Sequence, residues 1–100
     1  MAISSELAED GARLKISVSG RFDFSAHKEF RDSYEGSEGA ASYTVDLEEA
    51  SYLDSSALGM LLLLRDHAGG DNGSVEIVNC SADVRKILTI SNFDQLFTIH

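Results

Sequence analysis

Residues 52–65 read Tyr52-Leu53-Asp54-Ser55-Ser56-Ala57-Leu58-Gly59-Met60-Leu61-Leu62-Leu63-Leu64-Arg65. This stretch joins the end of an apolar, strand-like run to the start of a helix. Asp54 and Ser55 are both typical N-cap residues, because a short side-chain oxygen can accept a backbone N–H that the first helical turn leaves unpaired. The residues that follow are apolar or glycine as far as Leu64, and Gly69-Gly70 is typical of a helix end. The pattern predicts a helix with two serines at its positive end.

The position of these serines has two interpretations. A helix N-terminus offers free N–H donors and partial positive charge, so it tolerates a phosphate on its first residues. Ser55 and Ser56 therefore either cap and solvate the helix, or one of them accepts a phosphate that a docking protein would sense.

The predicted central helix is more apolar than a helix on a sheet requires. On a helical wheel, more than half of the circumference is taken up by Ala57, Leu58, Met60, Leu61, Leu62, Leu64 and Ala68. Covering one side of a sheet needs a stripe of only about 100°. Either the helix is deeply buried and Leu63 is a lone exposed leucine, or part of the apolar surplus meets a partner beside Ser55.

Outward from this helix, polar and apolar residues alternate with the period of strands or recur with the period of helices. Strands are predicted at residues 3–7, 13–19, 43–47, 74–78 and 96–99, with a turn at Glu9-Asp10-Gly11, and Gly20 is expected to end the second strand. Helices are predicted from Ser25 to about Tyr34 and from Ala82 to about Ile90, capped by Ser25 and Ser81, and residues 36–42 form a loop by composition. Because two strands joined through a helix are most easily parallel, we predict a single α/β domain over residues 1–100, with a mixed sheet of four to five strands and helices packed on it.

Composition restricts the function. The chain carries 17 acidic and 8 basic residues and a net charge of −9, which disfavours binding to nucleic acid and docking on anionic membranes. No run of residues has the length of a membrane span or the pattern of an export signal. Cys80 is the only cysteine, which excludes an intrachain disulfide and a cysteine metal cluster. A cytoplasmic location is predicted.

Catalytic motifs are missing from the sequence. Neither serine lies in a Gly-x-Ser-x-Gly elbow, and no Gly-x-x-x-x-Gly-Lys phosphate loop exists. His27, His67 and His100 are widely spaced, so they predict neither a zinc pair nor a general base. Asp46 and Asp54 could be compared with the phospho-accepting aspartate of response-regulator receivers, but the acidic pair that would hold magnesium is lacking. The prediction is a protein that is not an enzyme and uses no cofactor and no metal.

Three segments resemble a known family. Asp54-Ser55-Ser56-Ala57-Leu58-Gly59 resembles the Asp-Ser-Ser/Thr-Gly/Ala-Leu-Gly signature of STAS domains, in particular those of bacterial anti-sigma factor antagonists. Gly20-Arg21-Phe22-Asp23 is similar to the family's glycine-x-apolar-aspartate segment, and Val45-Asp46-Leu47 to the strand before the signature. The resemblance covers nearly the whole chain, with Ala57 in place of the commoner glycine.

The resemblance implies a partner switch. In such proteins the serine directly after the aspartate is phosphorylated, which corresponds to Ser55. The implied partners are an anti-sigma factor or related serine protein kinase, bound by the unphosphorylated form, and a PP2C-type serine phosphatase that removes the phosphate. The implied partner-binding residues are Asp23, Asp54, Ser55, Ser56, Leu58 and Gly59, on a protein that is monomeric when free. The alternative is a STAS domain that serves as a non-switching structural subunit of a membrane transporter or other assembly, with Ser55 acting only as a cap.

Overall fold

Six strands and three α-helices form the described part of the chain, which in the computed structural model comprises residues 2–8, 11–35 and 42–100. The strands are β1 (Ala2–Leu7), β2 (Arg13–Phe22), β3 (Ser42–Asp46), β4 (Ala50–Leu53), β5 (Val75–Val78) and β6 (Thr98–Ile99). The helices are α1 (His27–Glu35), α2 (Ser55–His67) and α3 (Ala82–Ile90), and short 3-10 turns span Phe24–Ala26, Gly70–Asn72 and Phe93–Gln95. The predicted loop at residues 36–42 and the turn at Glu9-Asp10-Gly11 lie largely outside the described residues.

The strands form one mixed sheet, which confirms the predicted fold class. Along the sheet the order is β1-β2-β3-β5-β6, and β4 lies off this path and pairs with β2. β1 runs antiparallel to β2, whereas the pairings of β2 with β3 and β4, of β3 with β5 and of β5 with β6 are parallel. β4 is the strand that the sequence patterns did not separate from the stretch leading into α2.

Gly20 bends β2 rather than ending it, so the prediction that the strand stops there is wrong. Gly20 has a φ of 79°, which glycine adopts without steric cost. The register shifts between Gly20 and Arg21, as in a β-bulge. Before the shift β2 pairs with β3, and from Gly20 onward it pairs with β4. One strand therefore serves two parallel neighbours.

The core lies on one face of the sheet. Leu14, Ile16 and Val18 alternate with polar residues along β2 and are buried. Their cross-strand neighbours on β3 and β5 and buried residues of all three helices join them in one cluster. On the opposite face a polar row crosses the sheet, with Lys15 beside Thr44 and Thr44 beside Glu76. The fold therefore consists of a helical layer on a sheet whose other face is polar.

The helix starts were predicted with mixed success. Ser81 caps α3 as expected, and its Oγ accepts a hydrogen bond from the Val84 N–H at 3.2 Å. Ser25 is not the cap of the first helix, because it lies within the 3-10 turn at Phe24–Ala26 that precedes α1, and that turn is capped by Asp23. The strand predicted at 96–99 is reduced to two residues, since the N–H groups of Leu96 and Phe97 donate to the Phe93 carbonyl and not to a neighbouring strand.

β1 lies at one edge of the sheet and contacts α1 there. The Ile3 N–H donates to Glu29 Oε1 at 3.0 Å. At the other edge, the His100 N–H donates to the Ile77 carbonyl at 2.9 Å and extends the pairing of β6 with β5 by one bond.

Candidate functional site

Two aspartates follow the neighbouring strands β2 and β4. Phe22 and Leu53 are the last residues of these strands and lie side by side in the parallel ladder. The Asp54 N–H donates to the Phe22 carbonyl at 3.3 Å, which adds one bond beyond the ladder. The carboxyl ends of neighbouring parallel strands lie at the same end of a sheet. Asp23 and Asp54 therefore lie together at the carboxyl end of β2 and β4, although 31 positions separate them in the sequence. The carboxyl ends of strands are where binding sites of α/β folds commonly lie, and Ser55 and Ser56 follow directly at this end of the sheet.

Asp54, not a serine, caps the central helix. It has an extended conformation, and its Oδ1 accepts a hydrogen bond from the Ala57 N–H at 3.0 Å. Ser55 is the first helical residue and is exposed, and Ser56 beside it is half-buried. Within the part of the chain that the structure describes, no residue hydrogen-bonds to the Ser55 hydroxyl. The interpretation of Ser55 as a capping residue is therefore wrong, and its hydroxyl has no structural role in the helix start.

Asp23 holds the turn that follows β2. Its Oδ1 accepts hydrogen bonds from the Ser25 hydroxyl at 2.5 Å and the Ser25 N–H at 3.0 Å. These two bonds, together with the Arg21 guanidinium 3.9 Å away, lower the pKa of the Asp23 carboxyl below its usual value. Asp23 is therefore the N-cap of the 3-10 turn that precedes α1. Membership of a docking surface stays a prediction for this residue.

An aromatic group beside these aspartates was missed by the sequence patterns. The Arg21 guanidinium lies over the Tyr52 ring, 4.6 Å from its centre, in cation–π geometry. The two residues are register partners in β2 and β4, so only the unpredicted pairing of these strands places them together.

Phe24 is 71% exposed, and its ring stacks on the His27 ring at 5.7 Å. The available signal was a second phenylalanine directly after Asp23, two residues beyond Phe22.

The helix α2 has one buried face and one face that is partly exposed to solvent. Ala57, Met60, Leu61 and Leu64 are buried, and Leu58 packs partly buried against the core. Leu62 is 41% exposed and Leu63 is 51% exposed, so the interpretation of a deeply buried helix with one exposed leucine is wrong. Of the predicted partner-binding residues on this helix, Ser55 is exposed and Leu58 packs against the core. Ser56 and Gly59 are half-buried. Contact of the exposed leucines with a partner remains a hypothesis.

Asp46 lies in a different environment from Asp23 and Asp54. It is 9% exposed at the end of β3. The Glu48 N–H donates to its Oδ1 at 2.9 Å, the Asn79 amide lies 3.3 Å from the same oxygen, and Lys15 Nζ lies 3.4 Å from Oδ2. Burial alone would raise the pKa of this carboxyl, but the hydrogen bonds and the lysine outweigh burial and lower it. Asp46 therefore fixes the turn between β3 and β4.

In the described ranges, no cluster of three or more histidine, cysteine, aspartate or glutamate side chains has a geometry that could hold a metal ion. Among residues 2–8, 11–35 and 42–100, no helix combines the length and the hydropathy that crossing a bilayer requires.

Comparison with known proteins gives a consistent set of relatives. The model of the family described as "Mlab, STAS domain" matches residues 5–98. A STAS-domain containing protein of Pseudomonas aeruginosa (strain UCBPP-PA14) is 60% identical over 100 residues, which cover 99% of both chains.

Solved structures of lower identity share the fold. The anti-sigma factor antagonist SpoIIAA in its unphosphorylated form superposes with a TM-score of 0.77 at 20% identity, over 99% of this chain and 87% of SpoIIAA. The same Bacillus protein in its phosphorylated form gives a TM-score of 0.76. A sulfate transporter family protein from Wolinella succinogenes gives 0.74 at 11% identity, over 90% of this chain and 74% of that protein.

Proposed function

Because this chain belongs to the STAS domain family, we propose that it is an anti-sigma factor antagonist of a partner-switching pathway. It binds an anti-sigma factor or a related serine protein kinase while Ser55 carries no phosphate. Phosphorylation of Ser55 releases it, and a PP2C-type serine phosphatase restores the binding form. In this role the protein is a binding module of the cytoplasm and not an enzyme.

The observation that carries the proposal is the division of roles between Asp54 and Ser55. Since the Asp54 carboxylate accepts the Ala57 N–H, the helix start is satisfied without the serine. The Ser55 hydroxyl is exposed at the surface and can enter a kinase active site without loss of a structural hydrogen bond. A phosphate at this position would meet the positive end of the α2 dipole, so the helix tolerates the modification.

The proposed switch works through charge at the contact. A phosphoserine adds about −1.5 to −2 charges to a protein that already carries −9. At an interface that fits the unmodified serine, the phosphate must lose its hydration and face whatever acidic groups the partner places there. Such a change at an interface costs several kcal/mol, on the order of a hundredfold or more in affinity.

The remaining residues of the proposed contact lie around Ser55. Asp23 and Asp54 end neighbouring strands, Ser56 follows Ser55 in the first turn, and Gly59 lies one turn further along α2. Leu58 packs against the core beneath these residues, so it supports the contact surface from below.

A second candidate function has one observation in its favour. The fold is shared with a sulfate transporter family protein, so a STAS domain of this kind also occurs in transport proteins. As a structural subunit of a membrane transporter or other assembly, the chain would bind its neighbour permanently and Ser55 would never be modified.

Intact-mass analysis after incubation with a candidate serine kinase and ATP tests the proposal. We expect the mass of one phosphate, located on Ser55 by fragmentation. Ser55→Ala takes up no phosphate and binds the kinase-like partner constitutively, Ser55→Asp binds it weakly, and the matched control Ser56→Ala remains a substrate. Phosphate on Ser56, or binding of Ser55→Asp as tight as that of the unmodified protein, would contradict the proposal.

A further inference from the structure

The polar face of the sheet lies opposite the helices. In the described ranges, all three α-helices pack their buried side chains into the core on the other face. Parallel strands usually have both faces covered, because crossover helices pack on each side of the sheet. Here β2, β3, β5 and β6 are parallel neighbours, and the described helices lie on only one of their faces. We call the uncovered polar face the open face.

One row of the open face holds one residue from each strand along the sheet. In the register, Glu6 lies beside Lys15, Lys15 beside Thr44, Thr44 beside Glu76, and Glu76 beside Thr98. Thr44 is the middle residue of β3, which is the middle strand of this order. Lys15 and Glu76 therefore lie on opposite sides of Thr44, each one strand spacing of about 4.8 Å away. Their side chains are 49% and 40% exposed, so both charges reach solvent.

We propose that the open face binds a second copy of this chain. A twofold axis along β3, midway between two facing sheets, exchanges the two sides of the row. Lys15 of one copy then meets Glu76 of the other, and the same pair forms again on the far side of Thr44. A self-complementary contact of this kind is the usual form of a symmetric dimer. The proposal replaces the free monomer that the family resemblance implies, and it does not depend on the proposed function.

The charge of the open face permits this contact although the whole chain is acidic. The face carries two cations, Arg13 and Lys15, and three carboxylates, Glu6, Asp46 and Glu76, which is a net charge of −1 out of −9. Most of the negative charge therefore lies elsewhere, and at physiological salt it is screened beyond about 8 Å.

Lys15 and Glu76 keep bonding capacity for a second copy. Lys15 Nζ lies 3.4 Å from Asp46 Oδ2, and an ammonium group has two further N–H donors. Glu76 Oε2 lies 3.5 Å from His100 Nε2, and a carboxylate accepts several bonds on its two oxygens. Between these charges the face is lined by small hydroxyl side chains such as those of Ser17 and Thr44. Short side chains let two sheets approach to about 10 Å, within reach of a lysine and a glutamate.

The size of the face predicts a weak dimer. Five strands at about 4.8 Å and five residues at about 3.3 Å give about 24 by 16 Å, or about 400 Å² per copy. Contacts below about 1,200 Å² in total are typical of transient complexes. Because α2 lies on the other face, the dimer leaves Ser55 accessible.

Sedimentation equilibrium of the unmodified chain measures the association. We expect the average mass to rise from that of a monomer toward that of a dimer between about 10 µM and 1 mM, as in a transient complex. A mass that stays at the monomer value up to about 1 mM overturns the inference.

Lys15→Glu and Glu76→Lys test the proposed register. Either change alone places like charges opposite each other at both symmetric contacts, so we expect the dimer affinity to fall at least tenfold. An equimolar mixture of the two variants has opposite charges at both contacts again, and we expect a mixed dimer about as tight as that of the unmodified chain. The control Asp32→Lys changes the net charge as Glu76→Lys does, at an exposed position of α1, and leaves the affinity within twofold. A mixture that stays monomeric, with both variants folded by circular dichroism, overturns the proposed contact.

Amide chemical shifts of the unmodified protein locate the contact without any substitution. Recorded against concentration, the shifts should change along β2, β3 and β5, around Lys15, Thr44 and Glu76. Changes confined to the helices would place the second copy on the helical layer and overturn the assignment to the open face.

Discussion

The Asp46 carboxylate lies at the end of β3, where Glu48, Asn79 and Lys15 supply donors to it. Because these contacts lower its folded-state pKa, the folded protein holds the charged form more tightly than the unfolded chain does. The stability that Asp46 contributes is therefore present at neutral pH, above the unfolded value of about 3.9. It is lost as the pH falls through the lower, folded value.

Asp46→Asn should reveal this contribution. We expect the free energy of unfolding at pH 7 to fall by about 1–3 kcal/mol, since a hydrogen-bonded charge is replaced by a neutral group. The loss should shrink as the pH falls from about 4 through the lower, folded-state pKa of Asp46, because the carboxyl takes up a proton over this range. Urea denaturation at a series of pH values measures both effects, with Asp32→Asn at an exposed position of α1 as the control. A pH-independent difference between Asp46→Asn and the unmodified protein would contradict the assignment.

Asp54 and Ser55 show how adjacent residues of similar chemistry differ in role. Both are suited to cap a helix, and the sequence alone left the choice open. The structure assigns the cap to Asp54 because its extended backbone directs Oδ1 to the Ala57 N–H. Ser55 is therefore the first residue of the helix, one position after the cap.

At the scale of elements, α2 combines a buried face with an exposed apolar one. Leu61 is fully buried, whereas its neighbour Leu62 is 41% exposed. Leu61→Ala should lower the free energy of unfolding by about 2–5 kcal/mol through lost burial and a cavity. Leu62→Ala should cost less, about 1 kcal/mol, because 41% of the Leu62 surface stays in water in the folded protein and its removal leaves no closed cavity. Chemical denaturation of the two variants compares them directly, and equal losses would show that the helix is rotated from the position described.

The elements could be predicted where their signals are local. The start of α3 at Ser81 and the end of α2 near Gly69-Gly70 follow from single residues that satisfy or terminate a helix. The alternation along β2 and β3 likewise identified the face of the sheet that carries the core.

What could not be predicted depends on neighbours distant in sequence. Nothing local to Gly20 tells whether a strand ends or bulges, since that depends on a second parallel partner, β4, becoming available. The same pairing creates the contact of Arg21 with Tyr52 and brings Asp23 to the edge that carries Asp54. At the candidate site, the identity of the residues was therefore predictable, but their division into caps, core and exposed surface was not.

At the scale of the whole molecule, charge governs which partners can approach. With 17 acidic and 8 basic residues, the protein repels the phosphate backbone and has few cations with which to displace its counterions. We therefore expect no retardation of duplex DNA or RNA by low micromolar protein at physiological salt. An electrophoretic mobility assay checks this, with a basic nucleic-acid-binding domain as the positive control, and a shifted band would refute the expectation.

The bond between Ile3 and Glu29 has a consequence for behaviour at high concentration. Edge strands present backbone groups on which another chain can add a strand, and this is a route to amyloid. On β1 the Glu29 carboxylate accepts the Ile3 N–H at 3.0 Å, so an incoming strand would have to break this bond and displace a charge. The contact between α1 and β1 thereby occupies a backbone donor that a strand added to this edge would need.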